Sequence, residues 1–304
     1  MLSGFIAILG KPNVGKSSLM NALVGEKVSI VTPKAQTTRD KILGIVTDEN
    51  SQMVFVDTPG VHKSESQLGD YMNKCVASAL DGVDAVVIVL DATKKLTDAE
   101  ISFVEKRLVK GGSPVYVVIN KTDLVSYEKI YPMLSRLAHL TREDGGRAAI
   151  REIIPTSCRT GYNIEVLRGY LKGELVEGDC YFDPDDITDK SERYMICEII
   201  REKALLFLQD EIPHGIGVYI QTFEYKDGLA NIDVDIICEK DSHKAIIIGE
   251  GGSKLKQIGE KARADIEKLL GCKAYIKLFV KVRPDWRNKR SVMRDIGYDA
   301  KKNL

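Results

Sequence analysis

The 304-residue sequence has no apolar run near the roughly 18 residues of a membrane-spanning helix, and no basic leader with a cleavage site ahead of its first apolar stretch. A cytoplasmic protein is therefore expected. Net charge is absent too: Lys plus Arg and Asp plus Glu both number 44, so bulk charge names no partner. Six cysteines (Cys75, Cys158, Cys180, Cys197, Cys238, Cys272) are scattered, without a Cys-x-x-Cys pair or a histidine at zinc-ligand spacing. That argues against a disulfide framework or a zinc site and for reduced packing thiols. Internal repeats and low-complexity tracts are missing as well. What is left is a chain long enough for two ordinary domains.

Up to about residue 175, β-rich apolar runs near 5–9, 42–47, 52–57, 84–90, 115–119 and 151–155 alternate with amphipathic helical patterns. This alternation predicts an α/β fold, a doubly wound and mostly parallel sheet over 1–175, with ligands beyond the carboxyl ends of its strands. Residues 176–190 are acidic and turn-rich and read as a linker. Over 191–304 the order becomes α-β-β-α-α-β, a smaller α+β domain with a basic C-terminal tail.

Five stretches of the first half describe one guanine-nucleotide pocket. Gly10-Lys11-Pro12-Asn13-Val14-Gly15-Lys16-Ser17, followed by Ser18, lies between a strand and a helix, the setting of a P-loop. Backbone amides there face phosphate oxygens, Lys16 bridges the β- and γ-phosphates, and the Ser17 hydroxyl ligates Mg2+. Thr37 and Thr38 lie in an aperiodic switch-like run; Thr38 is assigned the Mg2+ contact, with Thr37 the alternative, since spacing does not separate them. In Asp57-Thr58-Pro59-Gly60, Asp57 holds Mg2+ through water and the Gly60 amide senses the γ-phosphate. Asn120-Lys121-Thr122-Asp123 selects the base: a carboxylate accepts from guanine N1–H and the 2-amino group, and adenine offers neither donor. Lys121 lies on the purine face, Asn120 ties this loop to the P-loop, and amides around Ser157 and Cys158 meet the guanine carbonyl.

Val61 follows Gly60 where a water-orienting glutamine stands in Ras-like enzymes, so slow intrinsic hydrolysis is expected. Asn13 is the candidate compensation, as a ligand for K+ beside the phosphates, with a plain turn residue as the alternative. His62 is weighed as a γ-phosphate contact against a solvated surface histidine. The catalytic set is thus Lys16, Asn13, Thr38 and Gly60.

In the second domain Ile248-Gly249-Glu250-Gly251-Gly252-Ser253-Lys254 and Lys256 place a G-x-x-G turn between two helices, the signature of a KH domain that clamps single-stranded RNA. Twelve basic against four acidic residues between Lys254 and Arg290 support an RNA surface in an otherwise neutral chain. Glu250 would repel a phosphate and shift the contact to Lys254 or Lys256. Trp286, beside Arg283 and Arg287, is a candidate for stacking on a base, with a core role as the alternative.

With both sets of motifs in hand, the whole chain resembles the Era family of bacterial ribosome-assembly GTPases, P-loop GTPases with a C-terminal type II KH domain. The likeness extends to Lys34-Ala35-Gln36-Thr37-Thr38-Arg39, to Tyr181-Phe182-Asp183-Pro184-Asp185-Asp186-Ile187-Thr188-Asp189 and to Phe279-Val280-Lys281-Val282-Arg283. It implies GTP and GDP with Mg2+, K+ at Asn13, and a hydrophobic residue at 61. It also implies binding of the 3′ end of 16S ribosomal RNA, a role in 30S subunit maturation, a monomer, and peripheral association with the inner face of the cell membrane. Cys158 departs from the family's usual alanine. Two functional classes compete: a GTPase that times RNA binding, and an RNA chaperone stabilised by GTP in which hydrolysis is incidental.

Overall fold

The computed structural model describes residues 1–34, 37–60, 66–110, 112–141, 150–208, 212 and 215–299. Two contact units divide them. Residues 1–29, 38–60 and 75–189 form the first; 30–34 with 37, 66–74 and 190–299 form the second. Val61, His62, Ala35, Gln36 and residues 300–304 of the expected tail lie outside the described residues.

The first unit alternates strands and helices as β1 (Leu2–Leu9), α1 (Lys16–Val24), β2 (Ile42–Thr47), β3 (Ser51–Asp57), α2 (Gln67–Ser78), β4 (Ala85–Asp91), α3 (Asp98–Lys110), β5 (Val115–Asn120), α4 (Tyr127–Ala138), β6 (Ile150–Pro155), α5 (Ile164–Lys172) and β7 (Val176–Glu177); the first part of α2 counts with the second unit. The sheet order is β2-β3-β1-β4-β5-β6, with β7 antiparallel on the start of β1. Only β2 and β7 run against the rest. Every residue of β3, β4 and β5 is buried, which is why these strands read as unbroken apolar runs: helices cover both faces of a parallel sheet. Asp57 and Asn120 end β3 and β5, so the polar motifs gather at the carboxyl edge.

The acidic run after β7 is held along the outer strand of the sheet. Ile45 N–H donates to the Ile187 carbonyl (2.9 Å), Thr188 Oγ1 to the Leu43 carbonyl (2.7 Å) and Leu43 N–H to Asp189 Oδ1 (2.9 Å). The Gln52 amide accepts from Tyr181 N–H and donates to the Phe182 carbonyl. The bonds to Leu43 and Ile45 occupy the free edge of β2, which would otherwise expose unpaired backbone groups.

The second unit contains α6 (Glu192–Phe207), β8 (Gly217–Lys226), β9 (Leu229–Cys238), α7 (Asp241–Ile248), α8 (Ser253–Leu270), β10 (Lys273–Val282) and α9 (Arg290–Asp295). β8 and β9 are an antiparallel hairpin and β10 pairs parallel to β9. The hairpin turns at Asp227 (φ 53°) and Gly228 (φ 75°), the two positive φ values that an Asp-Gly pair supplies at least cost. Ile196, Ile200 and Ala204 recur at i, i+4, i+8 on α6 and meet Ala230, Ile232, Val234 and Ile236, the period-2 face of β9. Ile258, Ala262 and Ile266 of α8 complete that core.

Candidate functional site

Helix α1 begins directly after Gly15, which has a left-handed backbone (φ 102°), and no side chain caps its first amides. Uncapped N–H groups with the positive end of the helix dipole form an anion site at the end of β1. Lys16 folds back over the loop, its Nζ donating to the Gly10 carbonyl (3.2 Å) and the Lys11 carbonyl (3.1 Å). The Lys11 side chain turns outward to Thr97 (3.2 Å) and Glu100 (3.5 Å), so only its backbone belongs to the cradle. Asn13 takes a positive φ of 65°. Gly60 packs on Pro12, whose ring Cγ stands 2.7 Å from where a Cβ of residue 60 would be, and Thr58, just before Pro59, is anchored to the Ile8 carbonyl (3.0 Å).

Three hydroxyls converge on Asp57. Its Oδ2 accepts from Ser17 Oγ (2.7 Å), Ser29 Oγ (3.2 Å) and Thr38 Oγ1 (3.4 Å), while Ser17 and Thr38 lie 2.8 Å apart. Asp57 Oδ1 is buried with no hydrogen-bond partner. Thr37 is excluded from this cluster: its hydroxyl bonds Thr32 (2.6 Å) and the Lys34 carbonyl (2.7 Å). A spare carboxylate oxygen beside two hydroxyls is an all-oxygen set suited to a hard divalent cation such as Mg2+. Burial pushes the Asp57 carboxyl up, opposed chiefly by Lys16 and then by the hydroxyls; burial likewise pushes the Lys16 ammonium down, opposed by Asp57.

Beside this cluster lies a cavity of about 300 Å3 lined by Gly15, Ser18, Asn120, Lys121, Asp123, Leu124, Cys158 and Arg159. Asn120 joins three loops: its Nδ2 donates to the Val14 carbonyl (3.0 Å) and its Oδ1 accepts from Cys158 N–H (3.2 Å). Asp123 is oriented by Ser157 Oγ (2.6 Å) and paired with Arg159 (2.7 Å). Lys121 reaches the Asn13 carbonyl (2.6 Å) and the buried Asp91 carboxylate (2.7 Å). Burial of Asp91 is outweighed by Lys121 and Thr93, which hold its carboxyl below the usual range.

In the second unit the left-handed glycines Gly249, Gly251 and Gly252 form a tight turn between α7 and α8. Beside it runs an open groove of about 440 Å3 between α8 and β10, lined by Gly252, Leu255, Lys256, Gly259, Glu260, Arg263, Tyr275, Ile276 and Leu278. Glu250, Ser253 and Lys256 are exposed, and Lys254 packs its stem on Gly249. A cleft with an apolar floor, basic rim and exposed Tyr275 suits an unpaired strand of bases.

Known proteins align with both halves. A family model described as "50S ribosome-binding GTPase" matches residues 5–121 and a KH domain model matches 211–287. A GTPase Era of Clostridium botulinum is 44% identical over 301 residues, covering 99% of each chain, and one of Alkaliphilus metalliredigens is 43% identical over 299 residues, covering 98% of this chain and 99% of that one. The chain belongs to the Era family of GTPases. A crystal structure of Era with MgGDPNP and nucleotides 1506–1542 of 16S ribosomal RNA superimposes with a TM-score of 0.91 at 36% identity, covering 98% of this chain and 99% of that one. An Aquifex aeolicus Era variant bound to GDP and aluminium fluoride matches with the same score, identity and coverage.

Against this Era fold, one expectation from the sequence, that Trp286 stacks on a base, is corrected. Trp286 is fully buried, donates its indole N–H to the Gly215 carbonyl (3.0 Å) and stacks near Tyr298, so its faces are closed to a base. Arg287 is a bidentate partner of Glu239 (3.0 and 2.9 Å), and neither residue lines the groove, whereas Arg283 is exposed. The amides of Ser157 and Cys158 donate to the Tyr162 carbonyl and to Asn120 Oδ1, both at 3.2 Å, and the same loop orients Asp123 through Ser157 Oγ. Ser29, Asp91 and Arg159 went unnoticed in the sequence, where nothing local marks them. Leu255, Gly259 and Arg263 carried a usable signal: they recur every four residues on α8, with a glycine inside the helix where a close approach is needed.

Proposed function

We propose that this chain binds GTP with Mg2+, hydrolyses it slowly to GDP and phosphate, and uses the nucleotide state to switch its hold on single-stranded 16S ribosomal RNA near the 3′ end during assembly of the 30S subunit. The observation that carries the proposal is the Asp57 cluster, with Ser17 and Thr38 hydroxyls on one carboxylate oxygen and the other oxygen buried and unpartnered. The relative solved with MgGDPNP and 16S RNA supports the ligand assignment, because the likeness spans both units.

In this reading the amides from Gly10 to Ser18 cradle the phosphates and Lys16 neutralises developing charge on them. Asp123 selects guanine, Lys121 covers one purine face, and Asn120 keeps the base loop in register with Val14. Ser17, Thr38 and Asp57 hold the cation, which when bound offsets charge on the β- and γ-phosphate oxygens. Gly60 reports the γ-phosphate. Val61 brings no hydrogen-bonding group for the attacking water, which supports slow turnover. Asn13 assists K+ as a second source of positive charge; equal hydrolysis in K+ and Na+ removes that role. Gly249–Gly252, Lys254 and Lys256 clamp the RNA backbone while the α8–β10 groove receives bases. Among the described residues no helix is long and apolar enough to cross a membrane. A monomer resting on the inner face of the cell membrane follows from the family resemblance.

Competition binding with GTP and ATP, followed by RNA titrations with GDP and with a non-hydrolysable GTP analogue, tests the proposal. Guanine preference and tighter RNA binding with the analogue are expected. Equal RNA affinities remove the switch and leave the chaperone reading, because a ligand without differential affinity shifts no equilibrium.

A further inference from the structure

Asp57 receives a hydroxyl that the nucleotide motifs do not supply. Ser29 Oγ donates to Asp57 Oδ2 at 3.2 Å, and Ser29 is 1% exposed. One side chain pins the Ser29 backbone on both sides: Asn21 Oδ1 accepts from Val28 N–H (3.1 Å) and Ser29 N–H (2.9 Å), and Asn21 Nδ2 donates to the Ser29 carbonyl (2.8 Å). Asn21 stands four residues after Ser17 on α1, so the two share a face of the helix. One helix thus brings two hydroxyls to Asp57, that of Ser17 directly and that of Ser29 through Asn21. All of these residues belong to the first unit.

We infer that Ser29, held in place by Asn21, is a positioning residue for the Mg2+ site, which by bonding Asp57 Oδ2 fixes the carboxylate so that Oδ1 stays available to the cation and its water. A carboxylate is free to turn about its last bond, and that torsion has broad wells. Turning it would exchange the bonded oxygen for the one that is buried without a hydrogen-bond partner among the described residues. The Ser17 and Thr38 hydroxyls are themselves assigned to the cation, so their bonds to Asp57 are shared with that task. Ser29 has no such second task, and its bond acts on the carboxylate alone. Asn21 is needed because Ser29 lies in an aperiodic run, where a hydroxyl keeps its aim only if the backbone beneath it is held. Partners of this kind, which touch the ligand residue and not the metal, set metal affinity by orienting the ligand.

This inference rests on the proposed GTPase reading and deepens it. The test compares wild type with Ser29→Ala and Asn21→Ala. Ser29→Ala removes one oxygen atom and leaves Asp57 Oδ2 its bonds to Ser17 and Thr38, so the fold is spared; it decides the inference even if Asn21→Ala does not fold. GDP affinity is measured with excess EDTA and across a Mg2+ titration, together with single-turnover GTP hydrolysis at low and at saturating Mg2+. For Ser29→Ala the expected result is GDP affinity within about twofold of wild type in EDTA, with the Mg2+ concentration for half-maximal tightening of GDP raised about tenfold, the lower end of what loss of such a partner costs. Hydrolysis should fall at low Mg2+ and return to within about twofold of wild type at saturation. Asn21→Ala should shift the Mg2+ midpoint in the same direction. An unchanged midpoint in Ser29→Ala overturns the role of Ser29, as does an equal loss of GDP affinity with and without Mg2+, which marks a purely structural contact. An unchanged midpoint in folded Asn21→Ala overturns the role of Asn21. Wild-type protein that takes ADP as readily as GDP overturns the nucleotide reading itself, independently of the variants.

Discussion

The Asn120 amide nitrogen stands 2.2 Å from the point where a Cβ on residue 15 would sit, while donating to the neighbouring Val14 carbonyl at 3.0 Å. The base loop and the phosphate loop therefore touch through a glycine with no room for a methyl group. Gly15 also has φ 102°, costly for any other residue by about 1–2 kcal/mol. Gly15→Ala is expected to weaken both GTP and GDP at least about tenfold, read by nucleotide titration. Gly25→Ala is the control: its φ is 85°, but nothing lies within 4 Å of the new methyl. It should lower the melting temperature slightly and leave nucleotide affinity at the wild-type level.

Asp123 should decide the base through its charge. Ser157 Oγ holds one carboxylate oxygen at 2.6 Å and Arg159 the other at 2.7 Å, so the group is aimed before any ligand competes for it. Asp123→Asn replaces an acceptor by a donor and should lower GTP affinity by about a hundredfold or more. Xanthosine triphosphate, which offers a carbonyl where guanine has its amino group, should then compete better than GTP for the same site. Undiminished GTP binding by the variant refutes this assignment.

Both halves of the fold were legible in the sequence because their signals are local. Unbroken apolar runs such as Val115–Asn120 require a strand covered on both faces, and the glycines around Lys16 require a loop between strand and helix. The α-β-β-α-α-β order and the Asp227-Gly228 turn were equally readable. Contacts made by folding were not. Ser29 reaches Asp57 from an aperiodic run 28 residues away, and Arg201 meets Thr37 across 164 residues. Trp286 misled because its basic neighbours describe an RNA surface by composition, whereas its volume and N–H are used to seal the core against Gly215. The acidic run to Asp189 has linker composition, yet its backbone groups find partners on β2.

Cysteine chemistry supplies a pH test of the base cavity. Burial pushes the Cys158 thiol up to about 12, against the backbone and Asn120 hydrogen bonds, and burial raises Cys197 to about 12 as well. A raised thiol value means less thiolate, the reactive form, at any lower pH. At pH 8 the fraction is about one in ten thousand. Iodoacetamide at pH 8 should therefore label exposed Cys180 in the native protein and spare Cys158 and Cys197, as read by peptide mass spectrometry. Labelling of Cys158 should increase about tenfold per pH unit as the solution is made more alkaline. Rapid labelling at pH 8 would show that the cavity wall is not closed around the thiol.

Glu250 tests how the glycine turn meets RNA. It is exposed in the turn between the left-handed Gly249 and Gly251, and Lys254 behind it is partly committed to packing on Gly249. A carboxylate there opposes a phosphate at close range, so removing its charge without changing its size should tighten binding. Glu250→Gln is expected to strengthen binding of a single-stranded 16S 3′-end oligonucleotide about threefold to tenfold at low ionic strength, with the gain shrinking as salt rises. Lys256→Gln should do the opposite and flatten the salt dependence by about one phosphate contact. Because neither side chain contributes to the buried core, melting temperatures should stay at the wild-type value. Loss of affinity in Glu250→Gln would instead mean that the carboxylate accepts a hydrogen bond from a base or a ribose hydroxyl, and the phosphate would then have to pass on the Lys256 side of the turn.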